Sequence, residues 1–480
     1  MKKSQSNLRS VVRILATLAV FNVFVSCEKD QPPQSAPPQT HSDGAIVLGK
    51  KINDPYSISN MRAAYANIAG TSLKSELAPN RIYMRFLPKN EEEWDLLKSD
   101  KTLLLYDFPL DYEIAVHGNY YHDPSLPKDA ITWQYVVVPV DYKIPNIHHE
   151  ILYEVFIPEY EDQSLLKSSE QEFYDKLEEE SFRLTGNLPE PKEGTQLKGL
   201  LPDKWTPKGR IMVYDDTFGT IPLQGANVHG RWSTHTESTL TDANGYFTLP
   251  QFRYEVNYCI KYQRDDFDIR SGTVGQAWYD GPKQKGDWNL TISGGVHKFY
   301  ATILRAANHY FYGNVSGLKR PSIQGSNMKI AAMDEDNDEI NGRYSAPLRI
   351  LGIFNEVKIF NPNRNSQGTY GTTIHELAHA AHWDMDHSKF NDIETKVVES
   401  WARGMQWYLT RMIYPNYVPS YSGDYTGVVS VMVSSYGYTM NQLETAIKGQ
   451  TTWNGWRDNI INLYNNGNEN QLPALFSRVW

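Results

Sequence analysis

A chain of 480 residues is too long for one ordinary core, and its length implies about three domains. Its 40% hydrophobic and 21% charged residues are ordinary for globular proteins and exclude wholesale disorder. The net charge of −9 includes no basic cluster able to track a phosphate backbone, which excludes nucleic acid as a partner.

In chain order, the first segment is a targeting signal rather than part of the fold. Lys2, Lys3, Arg9 and Arg13 precede a short apolar run, Ile14 to Val25, which ends at Phe24-Val25-Ser26-Cys27. A small residue before a lone Cys resembles the lipobox of bacterial lipoproteins, with Phe24 departing from the usual Leu. The resemblance implies that Cys27 is acylated and that residues 1–27 form the signal peptide and lipid Cys. Residues 28–43, rich in Gln and Pro after Glu28-Lys29-Asp30, cannot bury a core and read as a tether. The acidic and Lys-containing run is similar to a surface-export signal of some Gram-negative bacteria. It implies an outer-membrane lipoprotein that faces outward, and the 31 Tyr suit an extracellular surface. Only Cys259 remains besides Cys27, so no intramolecular disulfide is expected; Cys259 reads as a small buried residue.

Residues 44–188 predict an α+β domain without a chemical motif. Arg81 to Leu87, Thr102 to Phe108 and Trp133 to Val140 read as strands, and Asn90 to Ser99 and Ser164 to Leu184 as helices. Residues 189–206 form a Pro-rich linker. From Gly209 the texture becomes that of short alternating strands. Gly209 to Tyr214, the stretch Pro222-Leu223-Gln224-Gly225-Ala226-Asn227-Val228 and the turn Thr241-Asp242-Ala243-Asn244-Gly245-Tyr246 follow one another. Together they resemble the carboxypeptidase regulatory-like β-sandwich, which implies a non-catalytic module at 207–293. His229 and His235 read as exposed strand histidines.

Residues 294–480 alternate helix and strand. Lys298 to Phe311 reads as an amphipathic helix, and Met328 to Met333 and Val357 to Phe360 as strands, the last an edge able to pair with an extended substrate. Asp334 to Asp338 is acidic, but Glu339 stands where an EF-hand loop needs Gly, so a solvated loop is expected.

The chemistry lies in Thr372-Thr373-Ile374-His375-Glu376-Leu377-Ala378-His379-Ala380-Ala381-His382. On a helix started at Gly371 to Thr373, residues i and i+4 share a face, so His375 and His379 can converge on one Zn²⁺. Glu376 then points beside that face, where it can reach an activated water. His382 and Met385 replace the Gly and the last His of the metzincin pattern, which disfavours that family. Asn391 to Met412 reads as a second helix that holds Glu399 among Val397, Val398, Trp401 and Ala402, where a buried carboxylate needs a cation.

The segment Gly371 to Tyr408 therefore resembles the gluzincin zinc-peptidases. The resemblance implies His375, His379 and Glu399 as zinc ligands, Glu376 as catalytic base, a zincin-like α+β domain and a protein or peptide substrate. Glu394, Asp384 and Asp386 stay open as competing carboxylates. His382, about 10.5 Å along the axis from His375, is a substrate-side or supporting candidate. Tyr436 and Tyr438 are candidates for stabilising an oxyanion. The chain is expected to be a monomer. The alternatives are an inactive zincin-like protein and a glycan- or protein-binding surface lipoprotein.

Overall fold

The computed structural model of the chain describes residues 45–69, 77–118, 120–127, 130–158, 168–188, 202–272, 275–322, 327–345 and 356–480. Cys27, the tether and most of the Pro-rich linker lie outside the described residues. The architecture is mixed α and β, with several separate sheets. Among the described residues no helix is long and apolar enough to cross a membrane.

The N-terminal part contains β1 (Val47–Lys51), α1 (Ile58–Ala69), β2 (Arg81–Phe86), α2 (Glu91–Ser99), β3 (Tyr112–Val116), β4 (Gln134–Pro139), β5 (His149–Val155) and α3 (Ser168–Leu184). Its main sheet is antiparallel in the order β4-β2-β5, and β1 pairs with β3. Asn90 caps α2 by accepting from the Glu93 N–H, and three acidic residues in the first turn suit the helix dipole. The expected strand at Thr102 to Phe108 is mostly irregular. Only Tyr106 is bridged, to Tyr135, and Leu103, Leu105, Tyr106 and Phe108 are buried without the alternation of a strand.

Next come β6 (Lys208–Asp215), β7 (Gly219–Pro222), β8 (Asn227–Trp232), β9 (His235–Leu240), β10 (Tyr246–Thr248), β11 (Val256–Lys261), β12 (Phe267–Ser271), β13 (Gly275–Gln276), β14 (Trp278–Gln284) and β15 (Trp288–Ile292). One four-stranded sheet runs β10-β6-β15 with β7 also on β6, and the second runs β14-β11-β8-β9. Ile211, Val213, Leu223, Val228, Phe247, Tyr258 and Trp288 belong to the core of this region. The Asn244-Gly245 turn is as expected: Gly245 has φ of 81°, and a Cβ there would lie 2.4 Å from the Ile211 carbonyl oxygen. His229 is not exposed. It is buried, with Nδ1 3.3 Å from the Tyr106 hydroxyl, because the N-terminal part packs on this face of its sheet. His235 is half-buried and stacks on Phe252.

β12 and β13 join neither of these sheets but a five-stranded one, order β13-β12-β16-β18-β17 among the described residues, with β16 (Met328–Ala332), β17 (Gly342–Ser345) and β18 (Glu356–Ile359). β12, β16 and β18 run parallel, and β13 and β17 run antiparallel at the two edges. The strand at Val357 is therefore interior, and the edge on that side is β17, because the antiparallel return through Gly342 covers it. The helices are α4 (Gly295–Tyr312), α5 (Ser366–Asp386), α6 (Thr395–Ile413), α7 (Val428–Tyr436), α8 (Met440–Ile447), α9 (Trp453–Leu463) and α10 (Leu472–Phe476). Asp334 to Asp336 and Asp338 are exposed, and Asn361 braces the loop through Asn337.

Two adjacent acids at the end of β6 tie its four-stranded sheet to these helices. Asp215 is fully buried and accepts from Arg305 of α4 at 2.7 Å and from the Tyr414 hydroxyl. Asp216 accepts from the Ser366 N–H at 2.7 Å, at the positive end of α5. Burial pushes the Asp215 carboxyl up, but the hydrogen bonds from Tyr414 and Arg305 outweigh it and hold its pKa below the ordinary value.

Removing that charge strands Arg305, so Asp215→Asn is expected to cost on the order of 3 kcal/mol in urea unfolding at pH 7. A depressed carboxyl pKa stabilises fully above the unfolded value, about 3.9, and the contribution fades as pH falls through the folded value. The gap between wild type and Asp215→Asn should therefore shrink below about pH 4.

Candidate metal centre

α5 carries the HExxH segment and is buried from Ser366 almost to its end. It starts at Ser366, five residues before the expected Gly371, with Asn365 accepting from the Gly368 N–H at 2.8 Å. Gly371 is not a start signal but a packing site. A Cβ there would lie 2.4 Å from the Tyr417 hydroxyl oxygen, so the helix tolerates a poor helix former to admit that ring.

α6 begins at Thr395 after a short 3-10 turn, Phe390–Asp392, which replaces the first residues of the expected helix. Val397, Trp401, Ala402, Met405 and Leu409 are buried, and α6 packs along α5. Gly404 lets Val429 of α7 approach, since a Cβ would lie 2.5 Å from the valine Cβ. The packing delivers Glu399 to the two histidines. His375 Nε2 and His379 Nε2 are 3.2 Å apart, and Glu399 Oε2 lies 3.1 Å from the first and 3.4 Å from the second.

These three residues form a group that can hold a metal ion, their ligand atoms lying within 4.8 Å of one another. Both histidines are buried, and their Nδ1 atoms have no hydrogen-bond partner among the described residues. Burial pushes His375 down to about 4, while His379 is raised against burial by Glu399. Burial opposes ionisation of Glu399, but the His379 charge and the hydrogen bonds from both imidazoles hold it well below the ordinary carboxylate value.

Glu376 stands off the ligand side and faces β17. A Cβ on Gly342 would lie 2.5 Å from Glu376 Oε1 and 2.8 Å from Thr372 Cγ2, so only Gly fits there beside an undisturbed carboxylate. Burial, opposed by the His379 charge and reinforced by Glu399, pushes Glu376 up to about 7.

The competing carboxylates are engaged elsewhere. Glu394 accepts from the Trp453 N–H, Asp384 from the Ser322 N–H and Asp386 from the Gly449 N–H. His382 is fully buried, edge-on to Phe390, and burial holds its pKa at about 3; it is a neutral core residue rather than a substrate contact. The Tyr438 hydroxyl donates to Glu469 and is engaged at the C-terminal helices, and Tyr436 is the half-buried last residue of α7.

Two other tyrosines flank the site. Tyr344 of β17 stacks on His379 with centroids 6.3 Å apart, and the Tyr425 ring lies 5.8 Å from His375. Tyr425 sits in a tight turn, Ser422 to Tyr425, after α6, and Tyr344 on a four-residue strand. Neither segment carries a motif or a periodicity that sequence reasoning could use.

No protein-family model matches the chain, and no curated protein matches it.

Metal analysis of the purified chain by inductively coupled plasma mass spectrometry should find about one divalent ion per chain, as one three-ligand group predicts. His379→Ala and Glu399→Ala should drop to near zero, whereas Glu394→Ala should keep the ion.

Proposed function

We propose that the chain is a zinc-dependent metallopeptidase, acting on proteins or peptides outside the cytoplasm. The observation that carries this is the triangle of donor atoms with sides of 3.1, 3.2 and 3.4 Å. A tetrahedron with Zn–N and Zn–O bonds of about 2.0–2.1 Å has edges of about 3.3–3.4 Å, so the two nitrogens and one oxygen fit zinc in position and in donor type. Three protein ligands characterise catalytic zinc sites, whereas structural sites are closed by four.

When bound, zinc would lower the pKa of a water molecule and polarise a carbonyl group. Glu376 accepts the proton of the attacking water and returns it to the leaving nitrogen. Gly342 keeps that carboxylate in place by adding no side chain against it. Tyr425, beside His375, supplies a phenol at the mouth of the site for the charge that develops on the carbonyl oxygen. β17, the edge strand on that side among the described residues, could pair with an extended substrate backbone, which suits a peptide.

The finer organisation we infer has an N-terminal α+β unit at 44–188, a carboxypeptidase regulatory-like sandwich at 207–293 and a gluzincin-like unit at 294–480. The two four-stranded sheets support the sandwich, from which β12 and β13 cross to the metal-bearing unit. Lipidation at Cys27 and an outer-membrane location rest on the N-terminal motif alone.

Glu376→Gln should retain its metal and lose at least about 10³-fold in peptide turnover, measured on a quenched peptide library. Full activity of that variant would refute the assigned base, and metal without turnover in the wild type would favour an inert zincin-like protein. Gly342→Ala should keep metal and lower kcat by about 10–100-fold, because it displaces the base. Tyr425→Phe should lower kcat by about 10²-fold with a smaller change in KM.

A further inference from the structure

Two guanidinium groups beside the cluster have no carboxylate partner among the described residues. Arg403 lies one helical turn beyond Glu399 on α6, and the same face of the helix carries both. Its Cζ sits 4.7 Å from the centroid of the Tyr425 ring, which in turn lies 5.8 Å from His375. Its Nη1 donates to Gln406 Oε1 at 2.7 Å, and its buried Nε has no hydrogen-bond partner among the described residues.

Arg364 reaches the same region from the loop before α5. It is exposed to solvent, and its Nη1 donates to Thr372 Oγ1 at 2.6 Å, one turn before Glu376. Tyr417 joins the two arginines: its hydroxyl accepts from Gln406 Nε2 at 2.5 Å, and the charges of both arginines act on it. The arginines are also near enough to repel each other, since Arg403 helps burial to hold the Arg364 pKa down. Among the described residues neither is ion-paired.

Like charges held together and partly removed from water are unfavourable without an anion between them. Arg403 acts electrostatically on Glu376, but that carboxylate serves as the base, and Glu399 is engaged by the two histidines. A divalent ion at the cluster would offset those two acids and leave the arginines as uncompensated positive charge along the first turns of α5. Guanidinium groups present paired N–H donors that match a carboxylate.

We propose that Arg364 and Arg403 form a carboxylate-recognition subsite beside the metal centre, selecting peptides with a negative charge close to the scissile bond. The proposal rests on the peptidase reading for its substrate class. The carboxylate has two possible sources, an Asp or Glu side chain and a free peptide C-terminus.

Turnover and binding test it separately on the full metal-loaded chain. A random decapeptide library with free C-termini and its amidated twin are cleaved, and the products are read by mass spectrometry. Enrichment of Asp and Glu at one position beside the cut, retained in the amidated library, identifies the side chain. Faster cleavage near free C-termini, lost on amidation, identifies the terminus.

Binding is read without turnover by fluorescence anisotropy on Glu376→Gln, using a labelled Ala-Ala-Ala-Asp peptide and an amidated Ala-Ala-Ala-Asn twin. The charged peptide should bind at least about tenfold more tightly. Adding Arg364→Gln and Arg403→Gln should bring that ratio to within about twofold, adding Arg364→Lys and Arg403→Lys should restore part of it, and metal content reports that each variant is folded. A ratio near one in the starting protein, or a ratio unchanged by the double substitution, overturns the subsite. If no peptide is cut but the charged one still binds through the arginines, the subsite stands and the peptidase reading falls.

Discussion

A carboxylate held against two imidazoles in a buried place is the constraint on which the rest of this structure depends. Glu399 lies within 3.4 Å of both Nε2 atoms, and all three residues are largely shielded from water. Leaving such a charge buried without a cation costs several kcal/mol, so a cation bound between the three residues would stabilise the arrangement. It also requires α5 and α6 to approach closely. Ala378 and Ala402 are buried on the two helices, and a Cβ on Gly371 of α5 would lie 3.1 Å from Gln406 Nε2 of α6.

The supporting parts are arranged to keep that pair of helices still. Asp215 ends β6 and Asp216 follows it, yet they bind α4, the chain after α6 and the N-terminus of α5. The two four-stranded sheets are therefore more than a spacer in mechanical terms: Asp216, directly after β6, binds the start of the helix that carries the histidines. A second buried ionic link does the same for the N-terminal part, where Arg270 of β12 joins Asp95 of α2 to Asp268. Sheet and helices share one continuous core with the sandwich, which couples the site to elements far from it in sequence.

What the sequence made legible follows from how local each feature is. The pairing of His375 with His379 needs only helical periodicity, and the apolar neighbours of Glu399 marked it as a carboxylate in need of a partner. α2, α3, α4, β2, β4 and β16 were likewise readable from local pattern. The failures are non-local. His229 has the setting of an exposed strand residue, and only the docking of the N-terminal part buries it. Gly371 has the chemistry of a helix boundary, and only Tyr417, 46 positions away, explains it as a contact. Val357 to Phe360 resembles an edge until β17 pairs with it. Tyr436 and Tyr438 were chosen as tyrosines following the motif helices, but Tyr425 and Tyr344 are the ones that folding brings to the histidines.

The same distinction between local and overall properties applies to charge. The chain carries a net charge of −9, so its far field favours cations. Close to the cluster the balance is different, because the buried acids face imidazoles, while Arg364 and Arg403 have no ion-pair partner among the described residues. Over distances longer than about 8–10 Å, salt screens the global field, so any charged group near the site meets the local charges first. The overall acidity of the chain therefore does not set the charge next to the cluster, where Arg364 of the loop before α5 and Arg403 of α6 supply positive groups.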